Sequence, residues 1–275
     1  MLDISIIIPF RDKSELTLDC LRTLHSFGDP VKEILLVSNN STADELARIK
    51  DAAKKHNNTR VIEYNHPFNF HKINNWAASQ AKGKVLFFLN NDVELIEKSR
   101  GLLAYMHQTA LQSDVGAVGC TLLYEDQKTI QHAGVYLVPG GTADHMYIGK
   151  SYAKIVADAA TGQLPYDTTE DIQLSAVTAA AVMVEKKKFD QIHGMNEDFI
   201  ICGGDVDLCL RLQDAGYKTI LVGSSHGLMV HKESKSRSML AVPYQDFCES
   251  YKIYVTHFNT EQGDPYLHWR NLQHA

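Results

Sequence analysis

The sequence contains no segment that predicts export or insertion into a membrane. Its first residues, MLDISIIIPFRDK, lack the cationic, apolar and small-residue regions of a signal peptide. No apolar run approaches the ~20 residues that a membrane-spanning helix needs. We therefore expect a cytoplasmic chain, for which any contact with the inner face of a membrane would be peripheral.

Cysteine and positive charge are also scarce. The five cysteines are an odd number without a CxxC pair, a pattern that indicates neither a disulfide framework nor a zinc site. A formal net charge of −6 argues against a nucleic-acid partner, because such proteins usually carry a basic face or stripe. With 275 residues, the chain is long enough to form one large domain or two small ones.

Glycine is absent from the turn after the first apolar run, which reads PFRDKSEL. The turn therefore carries neither the GxGxxG signature of dinucleotide-binding proteins nor the GxxxxGK[ST] signature of P-loop proteins. Asp12 or Ser14 is expected to cap the helix that follows, with Glu15 completing a capping box.

Short apolar runs alternate with helical patterns in the first third of the chain. This alternation predicts an α/β fold of right-handed βαβ units on a mainly parallel, Rossmann-like sheet. Strands are predicted at 4–10, 33–37, 60–64 and 84–89, with a helix at 71–81.

The fourth of these strands ends in two amides and an acid, in the stretch FFLNNDVEL. The carboxyl ends of parallel strands face the ligand crevice of such a sheet. Asn90 and Asp92 offer a neutral and an anionic oxygen to the same side, which suits Mg²⁺ or Mn²⁺ that keeps water and phosphate as its other ligands. The alternative is a simple turn, because these side chains readily bond their own backbone.

The pattern changes after a helix predicted at 98–112. Residues 139–172 are rich in glycine and polar side chains and are expected to form a mobile loop or lid. Aromatic side chains at spacings of three and four predict an amphipathic helix near the end, which we expect to pack on the core; the alternative is a contact with a membrane surface or a second subunit. Extended segments are predicted at 116–124, 131–138, 175–185 and 218–222, and the aromatic residues are Tyr244, Phe247, Tyr251, Tyr254 and Phe258.

Two acids, Asp205 and Asp207, follow a GG pair at the start of another predicted helix. They can stabilise the helix N-terminus. Alternatively, Asp205 can act as a general base toward a molecule that approaches across the glycines. His231 begins a polar segment after an apolar strand and, taken alone, is either a surface residue or a ligand.

Taken together, these segments resemble the family-2 glycosyltransferases of the GT-A fold, especially the rhamnosyltransferase-like branch that builds bacterial surface polysaccharides. The resemblance runs from about Ile4 to Ser234. It implies a nucleotide-sugar-binding half at 1–95 and an acceptor-binding, catalytic half at 96–240, followed by an amphipathic helix and tail at 241–275. The matching segments are ISIIIPFRDK, ILLVSNNSTAD, FNFHKINNWA, GKVLFFLNNDVEL, QHAGVYL, SAVTAAAVMVEKKKFDQIHGMNED, GGDVDLCLRLQDAGY and HKES.

The resemblance also implies roles for individual residues. The NND segment occupies the position of the family's DxD motif, so Asp92 would bind a metal ion that contacts the donor diphosphate. His231 would complete this Mn²⁺ or Mg²⁺ site. Asp205 matches the second acid of the family's ED motif and would be the catalytic base. The implied donor-binding residues are Pro9, Arg11, Asp12, Asn39, Asn75, Asn90, Asn91 and Asp92.

Two positions depart from the family pattern. Asn90 replaces an aspartate of DxD, which removes one charge from the metal site. Gly204 replaces the first acid of ED, and Asp207 would support Asp205 in its absence. Gly204 and Asp207 are therefore assigned to the sugar and acceptor side, together with Thr178, which falls where the family contacts sugar or acceptor.

The implied activity is an inverting, metal-dependent transfer of a sugar from a nucleoside-diphosphate sugar to a hydroxyl of a glycan or lipid-linked glycan, in the synthesis of O-antigen, capsule or cell wall. Two alternatives remain. A sugar nucleotidyltransferase would share the Rossmann-like half, but it needs a phosphate loop rich in glycine and arginine. A non-catalytic module that binds nucleotide sugar or carbohydrate would explain the departures at Asn90 and Gly204.

Overall fold

The structure is a computed structural model that describes residues 1–138, 142–162, 164–232, 243–257 and 264–267. Within these residues the chain forms an α/β fold. The helices are α1 Ser14–Phe27, α2 Ala43–Ala53, α3 Phe70–Gln80, α4 Leu102–Ala110, α5 Tyr152–Ala159, α6 Lys186–Gln191, α7 Gly204–Asp214 and α8 Tyr244–His257. The strands are β1 Leu2–Phe10, β2 Val31–Ser38, β3 Thr59–Glu63, β4 Val85–Leu89, β5 Val93–Leu95, β6 Val115–Cys120, β7 Leu122–Leu123, β8 Ile130–His132, β9 Val135–Val138, β10 Thr142–His145, β11 Ile172–Gln173, β12 Ala181–Glu185, β13 Lys218–Val222 and β14 Met229–His231.

Eight strands form the central sheet, in the order β11-β13-β6-β12-β4-β1-β2-β3. Strand β1 pairs in parallel with β2 and β4, β2 pairs in parallel with β3, and β6 with β13. Strand β12 runs antiparallel between β4 and β6, and β11 runs antiparallel along β13. The predicted α/β fold with a mainly parallel core sheet is confirmed.

Apolar residues cover both faces of this sheet. Along β1, Ile4, Ile6 and Ile8 belong to one core layer and Ile7 to the other, because successive side chains of a strand alternate between faces. Burial on both faces explains why these strands have almost continuous apolar sequences. Each layer combines residues from before and after position 95, so the two halves expected from the sequence share one sheet.

A second sheet of four strands, β5-β14-β7-β8, positions a histidine next to an acid. Strand β14 pairs antiparallel with β5, and His231 lies opposite Val93. The backbone N–H of Lys232 donates to the carbonyl oxygen of Asp92 over 2.9 Å. The register of this pairing therefore holds His231 beside Asp92.

The predicted cap of α1 is wrong. Lys13 precedes the helix in the left-handed conformation, with φ of 45°, and no side chain caps the helix from that position. The carboxylate of Glu45, from α2, instead accepts the N–H of Ser14 over 2.7 Å. Glu15 pairs with Arg48 of α2 at 2.7 Å. The first turn is capped by a neighbouring helix, which local residue spacing could not indicate.

The segment predicted as a mobile loop, 139–172, contains regular structure where it is described. Strand β10 forms a hairpin with β9. Helix α5 begins after Ser151, whose hydroxyl accepts the N–H of Lys154, and it buries Ile155. A short helix with one buried apolar side chain does not stand out in a polar sequence. Residues 139–141 and 163 lie outside the described residues.

The aromatic helix predicted near the end is α8, but its aromatic side chains do not pack on the core as expected. Tyr244, Phe247 and Tyr251 are 81%, 55% and 53% exposed, because the helix turns another side, which includes Ile253, toward the core. The side chain of Tyr254 and all of Phe258 lie outside the described residues. In the ranges that the structure describes, no helix has the length and apolar character needed to cross a membrane.

Candidate active site

The carboxyl ends of β1, β2 and β4 open onto one cavity of about 790 Å³. Parallel strands of an open α/β sheet are expected to present ligand-binding residues at this edge. The segment before β12, the start of α7 and helix α8 also line this cavity. The cavity is lined by nine of the residues assigned from the sequence, Pro9, Arg11, Asn39, Asn90, Asn91, Asp92, Thr178, Asp205 and His231.

Asp92 and His231 form the most charged part of this lining. The Nε2 atom of His231 lies 3.2 Å from Oδ1 of Asp92, and both side chains are buried. On the other side of the ring, Nδ1 of His231 lies 3.4 Å from Oε1 of Gln131. When Nδ1–H donates to Gln131, the lone pair of Nε2 faces the carboxylate of Asp92. Two such acceptors are stabilised at this distance only by a proton or a cation.

This arrangement fits a divalent metal ion. An imidazole nitrogen and a carboxylate oxygen are suitable ligands for Mn²⁺ or Mg²⁺, and the bond from Gln131 fixes the tautomer that leaves Nε2 free to coordinate. Among the described residues, no group of three or more His, Cys, Asp or Glu side chains could hold a metal ion. The chain would therefore supply Asp92 and His231, and water or phosphate oxygens would complete the coordination.

The turn that carries Asp92 is fixed by bonds to its surroundings. The backbone N–H of Asn90 donates to the carbonyl of Ala180 over 2.9 Å. The side-chain amide of Asn91 donates to the hydroxyl of Thr17, in α1, over 3.1 Å. These contacts hold the NND segment in one conformation, with Asp92 facing His231.

Asn39, at the end of β2, presents a buried acceptor to the cavity. Its amide nitrogen donates to the backbone carbonyls of Tyr64 and His66, each over 2.9 Å. Its Oδ1 atom finds no hydrogen-bond partner in the described residues. An unpaired buried carbonyl is costly, which makes this oxygen an exception among the polar atoms at the strand ends.

Asp205 lines the cavity from the first turn of α7. Its Oδ2 atom accepts the backbone N–H of Ala179 over 3.1 Å, and its Oδ1 atom accepts the N–H of Val206 over 3.0 Å. Both bonds hold the carboxylate in one orientation at the start of the helix. Thr178 lies next to this contact, and its hydroxyl accepts the N–H of Ala180.

Asp12 and Asn75 do not line the cavity, so the geometry does not support their predicted donor contacts. Asp12 joins the first two strand-end turns, because its carboxylate accepts the N–H of Thr42 over 2.7 Å. The amide of Asn75 exchanges two bonds with the backbone of Met195, each 2.8 Å long. Both side chains are used in holding loops together.

Gly204 and Asp207 also lie outside the lining. The carboxylate of Asp207 is buried and bonds Nε of Arg211, one turn along α7, at 2.6 Å. It therefore stabilises the helix and does not support Asp205 within the cavity. Gly204 is buried against the ring of His71. The predicted sugar or acceptor contacts of Gly204 and Asp207 are not supported by this geometry.

The structure also brings to the cavity residues that the sequence analysis does not assign to a site. Gln131 and His145 line it, and α8 contributes Phe247 and Ser250. Gln131 lies in the segment QHAGVYL, whose match to the family does not by itself indicate a role for this glutamine. His145 falls in the stretch expected to be a loop, so no sequence signal distinguished it.

His145 is connected to a second, deeply buried histidine. The N–H of Gly134 donates to Nε2 of His132 over 3.3 Å, so the proton of the neutral ring is on Nδ1. This Nδ1 lies 2.9 Å from Nδ1 of His145 and donates to it. Burial, and then the nearby His145 and His231, hold the pKa of His132 well below its usual value.

Family models match both parts of the chain that build this site. Residues 5–136 match the model described as glycosyl transferase family 2. Residues 168–233 match the model described as the N-terminal domain of galactosyltransferase. The first match contains the strand ends around Asp92, and the second contains Asp205 and His231.

Two curated proteins align with most of the chain. It is 36% identical over 271 residues to the O-antigen biosynthesis protein RfbC of Myxococcus xanthus. This alignment covers 96% of the chain and 20% of RfbC. It is 33% identical over 242 residues to the uncharacterized protein y4gI of Sinorhizobium fredii, and this alignment covers 85% of the chain and 25% of y4gI. The chain thus spans a fifth to a quarter of the length of these relatives.

Solved structures share the fold at 14% sequence identity. The mannosyltransferase PcManGT of Pyrobaculum calidifontis, in complex with GDP-Man and Mn²⁺, has a TM-score of 0.60 over 85% of this chain and 57% of its own. GalNAc-T7 with UDP, GalNAc and Mn²⁺ has a TM-score of 0.67 over 95% and 49%. TarS 1–349 of S. aureus with UDP-GlcNAc has a TM-score of 0.61 over 93% and 66%. The chain therefore belongs to the family-2 glycosyltransferases and has the GT-A fold.

Proposed function

We propose that this chain is an inverting glycosyltransferase that moves a sugar from a nucleoside-diphosphate sugar to a hydroxyl group of a glycan. The observation that carries the proposal is the shared cavity, which is lined both by the Asp92–His231 pair and by the carboxylate of Asp205. A metal-binding pair can stabilise a departing diphosphate and a separate base can activate an acceptor hydroxyl, the two functions that assist a displacement at an anomeric carbon.

The donor would bind along the strand ends. Asn39 lines this edge of the cavity, and Arg11 adds a positive charge there. A divalent cation held by Asp92 and His231 would supply Lewis acidity toward the donor diphosphate. The neighbours with bound Mn²⁺ support a divalent cation without distinguishing Mn²⁺ from Mg²⁺.

Asp205 would act as the general base. Its carboxylate takes the proton of the acceptor hydroxyl while the acceptor oxygen forms a bond to the anomeric carbon. The bond from that carbon to the diphosphate oxygen breaks on the opposite face, so the configuration inverts. The N–H of Ala179 holds Oδ2 of Asp205 in place during this step, and Thr178 lies beside it to contact the sugar or the acceptor.

The relative that acts in O-antigen biosynthesis supports a role in bacterial surface polysaccharide synthesis. We accordingly propose a glycan or a lipid-linked glycan as acceptor, with the reaction in the cytoplasm at the inner face of the membrane. Contact with that surface would be peripheral. The exposed aromatic side chains of α8, which include Phe247 at the cavity, are suited to such a contact.

The decisive experiment compares the wild type with Asp205→Asn on a panel of nucleotide sugars with Mn²⁺ and a lipid-linked glycan acceptor. Release of nucleoside diphosphate and donor binding are measured in parallel. Asparagine retains an oxygen for the N–H of Ala179 but is no base, so turnover should fall by about 10² to 10⁴ while donor binding persists.

Asp214→Asn, at the exposed end of the same helix, is the matched control and should retain wild-type turnover. Equal turnover in wild type and Asp205→Asn would exclude Asp205 as the base. Donors that bind to the wild type without any release, whatever acceptor is supplied, would instead identify a binding module. The anomeric configuration of the product, read by NMR, decides whether the transfer inverts.

A further inference from the structure

The ring of His71 fills the space between the starts of α3 and α7. The side chain is 1% exposed, and its Nδ1 lies 2.9 Å from the carbonyl oxygen of Phe199, to which Nδ1–H donates. The lone pair is then on Nε2. Burial lowers the pKa of His71, an effect that outweighs the nearby acids. The ring is therefore neutral and is bonded on one side only to the loop that leads into α7.

The other side of the ring explains the glycine at position 204. A Cβ atom built on Gly204 would collide with Nε2, Cδ2 and Cε1 of His71, which are the three nearest atoms. Gly204 does not have a positive φ, so backbone conformation does not require glycine there. By contrast, Gly203 has a φ of 87°, a conformation that does favour glycine. Position 204 is glycine because the imidazole of His71 occupies the volume of its side chain.

We infer that His71 stands in for the missing first acid of the ED pair and positions the catalytic helix. The inference rests on the proposed function, because it assigns Asp205 as the base. His71 does not line the cavity, so it acts through the backbone of Gly204 and the first turn of α7. Its ring prevents this turn from moving inward, and its bond to Phe199 holds the preceding loop. The carboxylate of Asp205 is thereby kept at the cavity wall.

The pair can be tested by a double-mutant cycle of His71→Asn, Gly204→Ala and the combined variant. Asparagine can still donate from Nδ2 to Phe199 but lacks the far side of the ring, so the double variant has room for the new methyl group. In the wild-type background, Gly204→Ala should lower Tm by roughly 5 °C, as expected for overpacking. In the His71→Asn background the same substitution should lower Tm by less than half as much.

Turnover separates a positioning role from a purely structural one. His71→Asn should lower kcat by about 10-fold to 100-fold, as expected for a base misplaced by a fraction of an ångström to one ångström. The donor KM should stay unchanged, because the donor contacts lie at the strand ends. Gly204→Ala should restore part of kcat in the His71→Asn background, since the methyl group refills the space.

Two results would overturn the inference. One is an equal Tm loss from Gly204→Ala in both backgrounds, which would mean that the two residues do not share a space. The other is coupling in Tm with an unchanged kcat in His71→Asn, which would leave His71 a packing residue only. The Tm measurements of the double-mutant cycle do not depend on enzyme activity. A wild type that fails to turn over any donor would therefore contradict the proposed function, but the contact between His71 and Gly204 could still be tested by Tm.

Discussion

Gln131 lies directly behind His231 and determines what that histidine can bind. Its Oε1 atom accepts Nδ1–H of His231 at 3.4 Å and so leaves Nε2 available on the side of Asp92. Groups of this kind orient the ligand ring and strengthen it as a donor to the metal. Gln131 itself is buried, and water does not readily replace it.

Replacing Gln131 by leucine should therefore weaken metal binding. We expect Mn²⁺ affinity to fall by about 10-fold to 100-fold, measured by electron paramagnetic resonance of free Mn²⁺ in the presence of nucleoside diphosphate. Gln131→Glu retains an acceptor of the same length and should keep the affinity closer to that of the wild type. If Gln131→Leu binds Mn²⁺ like the wild type, the ring of His231 is oriented by other contacts.

At the residue scale, the sequence predicted the strand-end positions better than the partners of each side chain. Asp92 and His231 were assigned together from the family resemblance, and the structure brings them to 3.2 Å. Asn75 was assigned to the donor by the same reasoning, but its amide is occupied by the backbone of Met195. A motif gives the position of a polar group along the chain, whereas competing partners from distant segments decide where that group points.

Helix α8 is connected to the segment before α7 by one buried carboxylate. Asp246 is 0% exposed and accepts the N–H groups of Ile200, Ile201 and Cys202 over 2.6, 2.8 and 2.9 Å. From the other side, the amide of Asn69 donates to the carbonyl of Phe199. Residues 199–202 are thus held between the start of α3 and α8.

Asp246→Ala should release this clamp. Three buried N–H groups would lose their acceptor, at about 1 to 3 kcal/mol for each group left unsatisfied, so the segment should open to solvent instead. We expect faster hydrogen exchange of the amides of Ile200 to Cys202, measured by mass spectrometry, and lower turnover. Glu249→Ala, on the same helix, removes only an ion pair with Lys252 and should leave those amides protected. Unchanged exchange in Asp246→Ala would contradict the clamp.

At the element scale, the buried strands were predictable and the local caps were not. The segments that form β1, β2 and β4 are apolar along their length because both faces of the sheet are covered. A continuous apolar run of this kind can be recognised from one sequence without an alignment. The first turn of α1 is capped by Glu45, and α5 depends on one buried side chain, Ile155. Both features depend on long-range packing, which residue spacing does not encode.

For the molecule as a whole, buried neutral histidines make stability depend on pH. Burial lowers the pKa of His71 and of His132 from the ordinary value of 6.5. The acids near His71 oppose this effect without cancelling it, and His145 and His231 add to it for His132. Below pH 6.5 the unfolded chain binds protons that the folded chain does not, so the free energy of unfolding falls as the pH decreases.

Urea unfolding at pH 7.5, 6.0 and 5.0 should therefore show decreasing stability, by up to about 1.4 kcal/mol per pH unit for each such histidine. Carboxylates with lowered pKa, such as Asp3 and Glu33, begin to contribute only below their ordinary values of 3.8 and 4.5. The change in the free energy of unfolding between pH 6.5 and 5 therefore comes mainly from the histidines. His71→Asn should reduce the slope, and a stability that is constant from pH 7.5 to 5 would refute this account.

The clamp around the start of α7 also bears on the order in which the protein matures during synthesis. Asn69 and Phe199, which it joins, are 130 positions apart, and Asp246 is translated later still. Contacts between residues so far apart along the chain form late, because the entropy lost in closing the intervening loop must be paid before the contact stabilises the fold. The strand ends with Asn39 and Asp92 leave the ribosome long before Asp246. In a nascent chain β1 can accordingly pair with β2 early, but the turn that carries Asp92 must wait for Ala180 and His231, and the segment before α7 must wait for α8.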